Sequence, residues 1–230
     1  MIASLALLAL TQVPALPPNS IVDYTGMPEI RAAAGSLQLR THSATIEIQG
    51  ETAVVTSTTE VKNLTSGPLP IAVVLPRRRV ADRGTSQPSF PIELLANRRA
   101  IPLQESRRGI VDRPNSRQTD AVSDQEGRLT MGRNSTLGLR VTARIPLGRA
   151  GIDRKQRLAA YQLGGALPVG QLNIAYRYAG DTVFRLPEAR PDLGWQIGPR
   201  GAFTRLSNVT PAGQVTSVAF YPGGFDNIGG

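Results

Sequence analysis

Few residues of this chain are able to do chemistry, and their spacing suits little of it. With no Cys in 230 residues, thiolate nucleophiles, disulfides, lipoprotein attachment and cysteine metal sites are all excluded. His42 is the lone histidine. It stands at the junction of two expected strands, with no second His and no Cys to share a metal. It therefore reads as a strand-end or surface residue rather than as a ligand or general base. The chain has no GxSxG, no glycine-rich phosphate loop followed by Lys-Ser/Thr, and no H-E-x-x-H. Carboxylates remain, since glycoside hydrolysis needs only two of them about 5 to 10 Å apart. Glu47, Glu51 and Glu60 most simply face water from strands. The run Asp120-x3-Asp124-x-Glu126 lacks the spacing and central Gly of a calcium-binding loop. The sequence thus points to no metal and no cofactor.

The sharper signal is basic. The net charge of +9 lies within Arg77 to Arg157, where seventeen Arg and one Lys face eight acids; elsewhere eight cations meet nine acids. Arg77, Arg78 and Arg79 are consecutive, Arg98-Arg99 and Arg107-Arg108 are doublets, and together these seven form the candidate anion-binding set. Such a cluster suits phosphate, sulfate or carboxylate groups on an acidic glycan, lipopolysaccharide or nucleic acid, with strong salt dependence. The plainer alternative is a set of solvated outer strand faces in an Arg-biased chain. Arg outnumbers Lys 24 to 2.

The elements that must position these residues are strands. The clearest run is Ser43 to Arg79. Ala44, Ile46 and Ile48 alternate with polar residues, Thr52 to Lys62 is rich in Val and Thr, and Ile71 to Leu75 is an apolar run closed by Pro76. Ala53-Val54-Val55, Val61-Lys62-Asn63 and Val74-Leu75-Pro76 fall where the VIT domain family carries its "A-x-V" strand, its F/V-K-N turn and its F-P-L-P strand end. Residues 43–79 therefore resemble the opening of a VIT domain, and resemble equally an exported bacterial β family without assigned function. The resemblance implies a β fold and a structural role. It departs from the family at the missing Phe before Pro76 and at Arg77-Arg78-Arg79. No D-x-S-x-S follows, so it implies no metal-dependent adhesion.

Along the chain, residues 1–18 carry an apolar run, Ile2 to Leu10, and small residues at Val13-Pro14-Ala15, the pattern of a secretory signal peptide without its usual basic start. The run is about half the ~20 residues needed to span a bilayer. Pro17 to Gly35, a stretch with Pro and Gly and few apolar positions, reads as an exposed leader over residues 19–35, followed by a first strand at Ser36 to Arg40. Phe90 to Leu95 and Ala100 to Gln104 flank Asn97-Arg98-Arg99 as a hairpin. Residues 106–127 hold only Ile110, Val111 and Val122 among charged and polar neighbours, and so read as a mobile loop open to trypsin. Thr136 to Leu147 is the cleanest strand, with Leu137, Leu139, Val141, Ala143 and Ile145 on one face. Arg157 to Tyr161 is ambiguous between strand and helical turn. Val169 to Tyr178 alternates again, and its Tyr176 and Tyr178 read as core rather than as a stacking platform for bases or sugars. Short strands at Trp195 to Ile197, Ala202 to Leu206 and Gln214 to Tyr221 precede a frayed tail at 223–230. N-x-S/T triplets at Asn63, Asn134 and Asn208 mark surface turns.

Short strands with a turn every 8 to 14 residues and no long helix predict an all-β, antiparallel β-sandwich over residues 36–222. The expected role is that of an exported, periplasmic or extracellular, noncatalytic module. Its expected partner is a protein or other component of the cell envelope, with an acidic glycan as the alternative ligand.

Overall fold

The computed structural model describes residues 16, 19–84, 86–112, 117–150, 155–165, 167–178, 182–185, 193–198, 200–211 and 213–222. The expected tail and, apart from Leu16, the expected signal peptide lie outside the described residues. Eighteen strands are described. The first six are β1 (Val22–Gly26), β2 (Glu29–Arg31), β3 (Leu37–Gln49), β4 (Thr52–Asn63), β5 (Leu69–Leu75) and β6 (Arg77–Asp82). The middle six are β7 (Ile92–Ala96), β8 (Arg99–Ala100), β9 (Gln104–Asp112), β10 (Gln118–Met131), β11 (Thr136–Pro146) and β12 (Gly148–Arg149). The last six are β13 (Arg157–Gln162), β14 (Val169–Tyr178), β15 (Thr182–Arg185), β16 (Gln196–Gly198), β17 (Gly201–Val209) and β18 (Val215–Pro222).

These strands form two sheets, as the sequence predicts for a sandwich. One runs in the order β16-β17-β14-β3-β4-β11-β7-β8. The other has the path β15-β18-β13-β1-β6-β10-β5-β2, with β12 on β13 and β9 on β10. Most pairings are antiparallel, but β1 pairs with β13 and β14 with β3 in parallel. Parallel neighbours cannot be joined by a tight turn. Strands from the start of the chain are accordingly married to strands from its second half.

The alternating strands behave as their sequences dictate. In β11, Leu137, Leu139, Val141, Ala143 and Ile145 are buried, while Gly138, Arg140 and Arg144 are exposed. With Ile46, Val55, Ile71, Val73, Leu75, Leu172, Ile174 and Val218 they fill one core between the sheets. A second, smaller apolar cluster of Val22, Tyr24, Val80, Leu158, Ala160 and Ala219 covers the opposite face of the second sheet. This explains β13, whose Leu158 and Ala160 join one cluster while Ala159 and Tyr161 join the other. A strand buried on both faces loses its period of two, so strand and helix could not be told apart there from the sequence.

Three segments depart from expectation. Residues 19–35 are no exposed leader, because all five residues of β1 are buried between β6 and β13. Gly26 is required at the end of that strand, since a Cβ would stand 2.4 Å from the Gln162 carbonyl oxygen. The expected separate strands at 36–40 and 44–48 are one, β3, with a register shift between Leu39 and Thr41. Residues 106–127 do not form a loop. Apart from 113–116, which lie outside the described residues, and the bend at Arg117, they belong to β9 and β10, paired from Asp112↔Thr119 to Gln104↔Glu126. No helix among the described residues is long and apolar enough to cross a membrane.

Candidate interaction surface

The arginine triplet begins β6, where successive side chains alternate across the sheet. Arg79 points with its cross-strand neighbour Asp23 and grips it with two bonds, Nε to Oδ1 at 2.6 Å and Nη2 to Oδ2 at 2.7 Å. Its Nη1 also donates to the Ser86 hydroxyl and carbonyl. The Asp23 hydrogen bond raises the Arg79 pKa further above its ordinary value. Arg77, on the same face, donates to the Pro88 carbonyl at 2.6 Å and lies 5.4 Å from the centre of the Phe90 ring, a cation-π distance. Partial burial lowers its pKa through desolvation. Together Arg77 and Arg79 hold the segment 86–90 against the sheet. Arg78 faces the other way, toward the smaller apolar cluster, and pairs with the buried Asp124. This triplet is engaged within the fold.

The other candidate cations separate. Asn97 and Arg98 form the β7–β8 turn with φ of 46° and 68°, both left-handed as a type I′ turn requires. Arg98 and Arg99 are therefore exposed at the edge of the first sheet. Arg107 and Arg108 are exposed on β9 of the second sheet, opposite Asp124 and Ser123. Arg78 bonds Asp124 and Arg107 stands opposite Asp124 in the register, but the seven arginines do not share a face.

Strand β9 occupies a special position. Residues 119–122 of β10 pair at once with β6 and with β9, so these two strands lie on opposite edges of β10. Strand β9 has no second neighbour among the described residues. Every one of its residues is exposed except half-buried Gly109, and Ile110 and Val111 are 54% and 58% accessible. Exposed branched apolar side chains on an open edge are costly in water and favour a partner.

The potential acid–base residues are placed elsewhere. His42 lies in the middle of β3, fully buried, where the sequence suggested a strand end. Its Nδ1 meets the Thr59 hydroxyl at 2.8 Å and its Nε2 meets the Tyr161 hydroxyl at 2.9 Å, one ring nitrogen donating and the other accepting. Burial pushes its pKa down to about 3. Thr59 belongs to the same sheet and Tyr161 to the opposite one, so the imidazole ties the layers together. A second tie runs beside it: the Tyr176 hydroxyl donates to the Thr216 carbonyl at 3.0 Å, and the Thr216 hydroxyl donates to the Tyr161 carbonyl. Desolvation raises the pKa of both tyrosines. Tyr176 and Tyr178 are core residues, as their spacing suggests.

Glu51 and Glu60 pair with Arg157 and Arg40, and Glu47 is exposed. Among the described residues no three His, Asp or Glu side chains are grouped to hold a metal. An open cleft of about 420 Å³ at the base of the β9–β10 hairpin is lined by Glu105, Glu126 and Arg128, with Gln104, Ser106 and Pro102. Its two acids sit on successive cross-strand pairs, Glu105↔Gln125 and Gln104↔Glu126, and so project from opposite faces of the hairpin. Glu105 accepts from Ser123 and Glu126 from Arg128. The sequence signal for the β9 surface was Ile110-Val111 inside a charged stretch, which is a short strand pattern diluted by arginine.

No protein-family model matches the chain, and no curated protein matches it. Solved structures do. A crystal structure of a candidate nutrient-binding protein from Legionella pneumophila superimposes with a TM-score of 0.63 at 12% identity, covering 89% of this chain and 73% of that one. Yeast leukotriene A4 hydrolase bound to bestatin matches with a TM-score of 0.41 at 10% identity, over 82% of this chain and 29% of that one. A candidate protease from Parabacteroides distasonis gives 0.42 at 11%, over 83% and 41%. The last two scores are too low to carry an argument, and the first shows a shared fold and nothing beyond it.

Proposed function

We propose that this chain is an exported, noncatalytic β-sandwich module that acts by binding another component of the cell envelope. The observation that carries the reading is the β9–β10 hairpin, whose outer strand offers Ile110 and Val111 to solvent beside an open backbone edge. Two further features support it. The ionic groups most capable of chemistry are engaged in structural pairs, Arg78 with Asp124 and Arg79 with Asp23, while His42 is sealed between the sheets. The apolar run Ile2 to Leu10 followed by Val13-Pro14-Ala15 is consistent with export. The VIT-like strands belong to the same proposal, as scaffold rather than as site. Fractionation of the native host should find a shortened chain in the envelope, and photo-crosslinkers placed across the surface should give discrete adducts. An unprocessed chain confined to the cytoplasm, or no adduct from any surface position, overturns the reading.

A further inference from the structure

We infer that β9 receives an extended acidic segment of a partner protein, which pairs along its free edge and lengthens the second sheet by one strand. This deepens the module reading above and rests on it. The edge is long enough: among the described residues the nine-residue strand Gln104–Asp112 has a neighbouring strand on one side only. Gln87 takes one backbone acceptor there, the Gly109 carbonyl at 3.0 Å. Natural edge strands are commonly guarded against pairing by charge, but a guarded edge does not also expose Ile110 and Val111 by more than half.

The chemistry of the occupant follows from the side chains. Cross-strand register places Arg108 and Ile110 on one face of β9, beside Ser123 and Ala121, and Arg107 and Val111 on the other, beside Asp124 and Asp120. Each face thus presents one cation and one apolar side chain. The acids of β9 are already used, Glu105 by Ser123 and Asp112 by Arg83. No ion pair holds Arg107 or Arg108 among the described residues, whereas Asp124 is claimed by Arg78. A strand alternating acidic and apolar residues matches both faces, since opposite charges across a pair stabilise and like charges repel. The same rule argues against a second copy of this chain. Antiparallel pairing of β9 with its twin about Arg108 brings four arginines within two positions of one another.

Hydrogen exchange of the full chain tests this with two synthetic twelve-residue peptides, one alternating Glu and Val and the other alternating Lys and Val. The acidic peptide is expected to slow exchange of backbone amides in 104–112 at least tenfold at low salt. The effect should fade at high ionic strength as the charges are screened. The basic peptide should do nothing, and the exposed charge swap Arg107→Glu with Arg108→Glu should reverse the preference. Three results overturn the inference: unchanged β9 exchange with the acidic peptide, equal protection by the basic one, or concentration-dependent protection of β9 in the protein alone. The wider reading fails separately. A β9 that stays inert while crosslinkers elsewhere on the surface find an envelope partner removes only this edge, whereas absence of adducts everywhere removes the module.

Discussion

The one histidine shows how far burial changes what a residue does. Solvent-exposed imidazole titrates near 6.5, but His42 is held neutral down to about 3 by desolvation, with Thr59 and Tyr161 bonded to its two nitrogens. Folding therefore favours the deprotonated form, and the unfolded chain binds an extra proton between those two values. Its contribution is fully present above pH 6.5 and is lost as pH falls toward 3, at about 1.4 kcal/mol for each pH unit. His42→Gln should be less stable than the parent at pH 7, because the Tyr161 hydroxyl loses a buried partner at a cost of about 1 to 3 kcal/mol. At pH 4.5 the stability difference should move toward the variant by about 2 to 3 kcal/mol, which erases the deficit or reverses it. Urea midpoints at the two pH values measure it, and a deficit independent of pH would show that His42 is not held neutral. The arginines follow the same logic. Arg78 and Arg79 face Asp124 and Asp23, both buried, and a carboxylate taken out of water needs a partner.

At the scale of elements, turn chemistry was readable and edge position was not. The turn of the β7–β8 hairpin falls where the sequence places it, at Asn97-Arg98. Its second strand is only Arg99–Ala100 instead of Ala100 to Gln104, because Gln104 already belongs to β9 of the other sheet. Asn tolerates the left-handed conformation, and its Oδ1 accepts the Gly138 amide at 3.1 Å. Arg98, with φ of 68°, pays for its Cβ. Arg98→Gly removes about 1 to 2 kcal/mol of strain and returns up to about 1 kcal/mol to the unfolded chain. A net gain of about 0.5 to 1 kcal/mol is expected, read as a higher urea midpoint with unchanged slope; an equal or lower midpoint refutes it. In β9 and β10, Arg, Asp, Ser and Gln mask the period of two. Polar residues there are expected to face water, yet Gln118, Thr119, Ser123 and Asp124 are buried. Thr119 and Gln118 donate to the Ala81 and Ser20 carbonyls, and Asp124 meets Arg78. The partners that make such burial tolerable are all distant in sequence.

At the scale of the whole molecule, the chain is laced through its own second half. Strand β3 pairs with β14 and β1 with β13, while the main core takes residues from Met27 to Phe220. A protease site replacing residues 113–116 should therefore give a nicked protein whose fragments stay together in gel filtration and part only in denaturant. Separation without denaturant contradicts the shared core. The same topology marks what was legible in advance. An all-β sandwich followed from alternation in 44–48, 137–145 and 172–178, because side-chain period and turn residues are local properties of the backbone. The turn at 97–98 was local in the same sense. Strands β9 and β10 pair locally and were hidden by the polar residues that mask their period of two. Strand β1, the two-sided burial of β13 and the seat of His42 were instead decided by contacts between residues about 50 to 140 positions apart or by burial on a second face. Such pairing converts polar or mixed segments into strands by supplying Asp23 with Arg79, and His42 with Tyr161. Whether a neighbour lies on both edges of β10 or on one is likewise absent from any window of sequence. It is that third-dimensional fact which leaves β9 open.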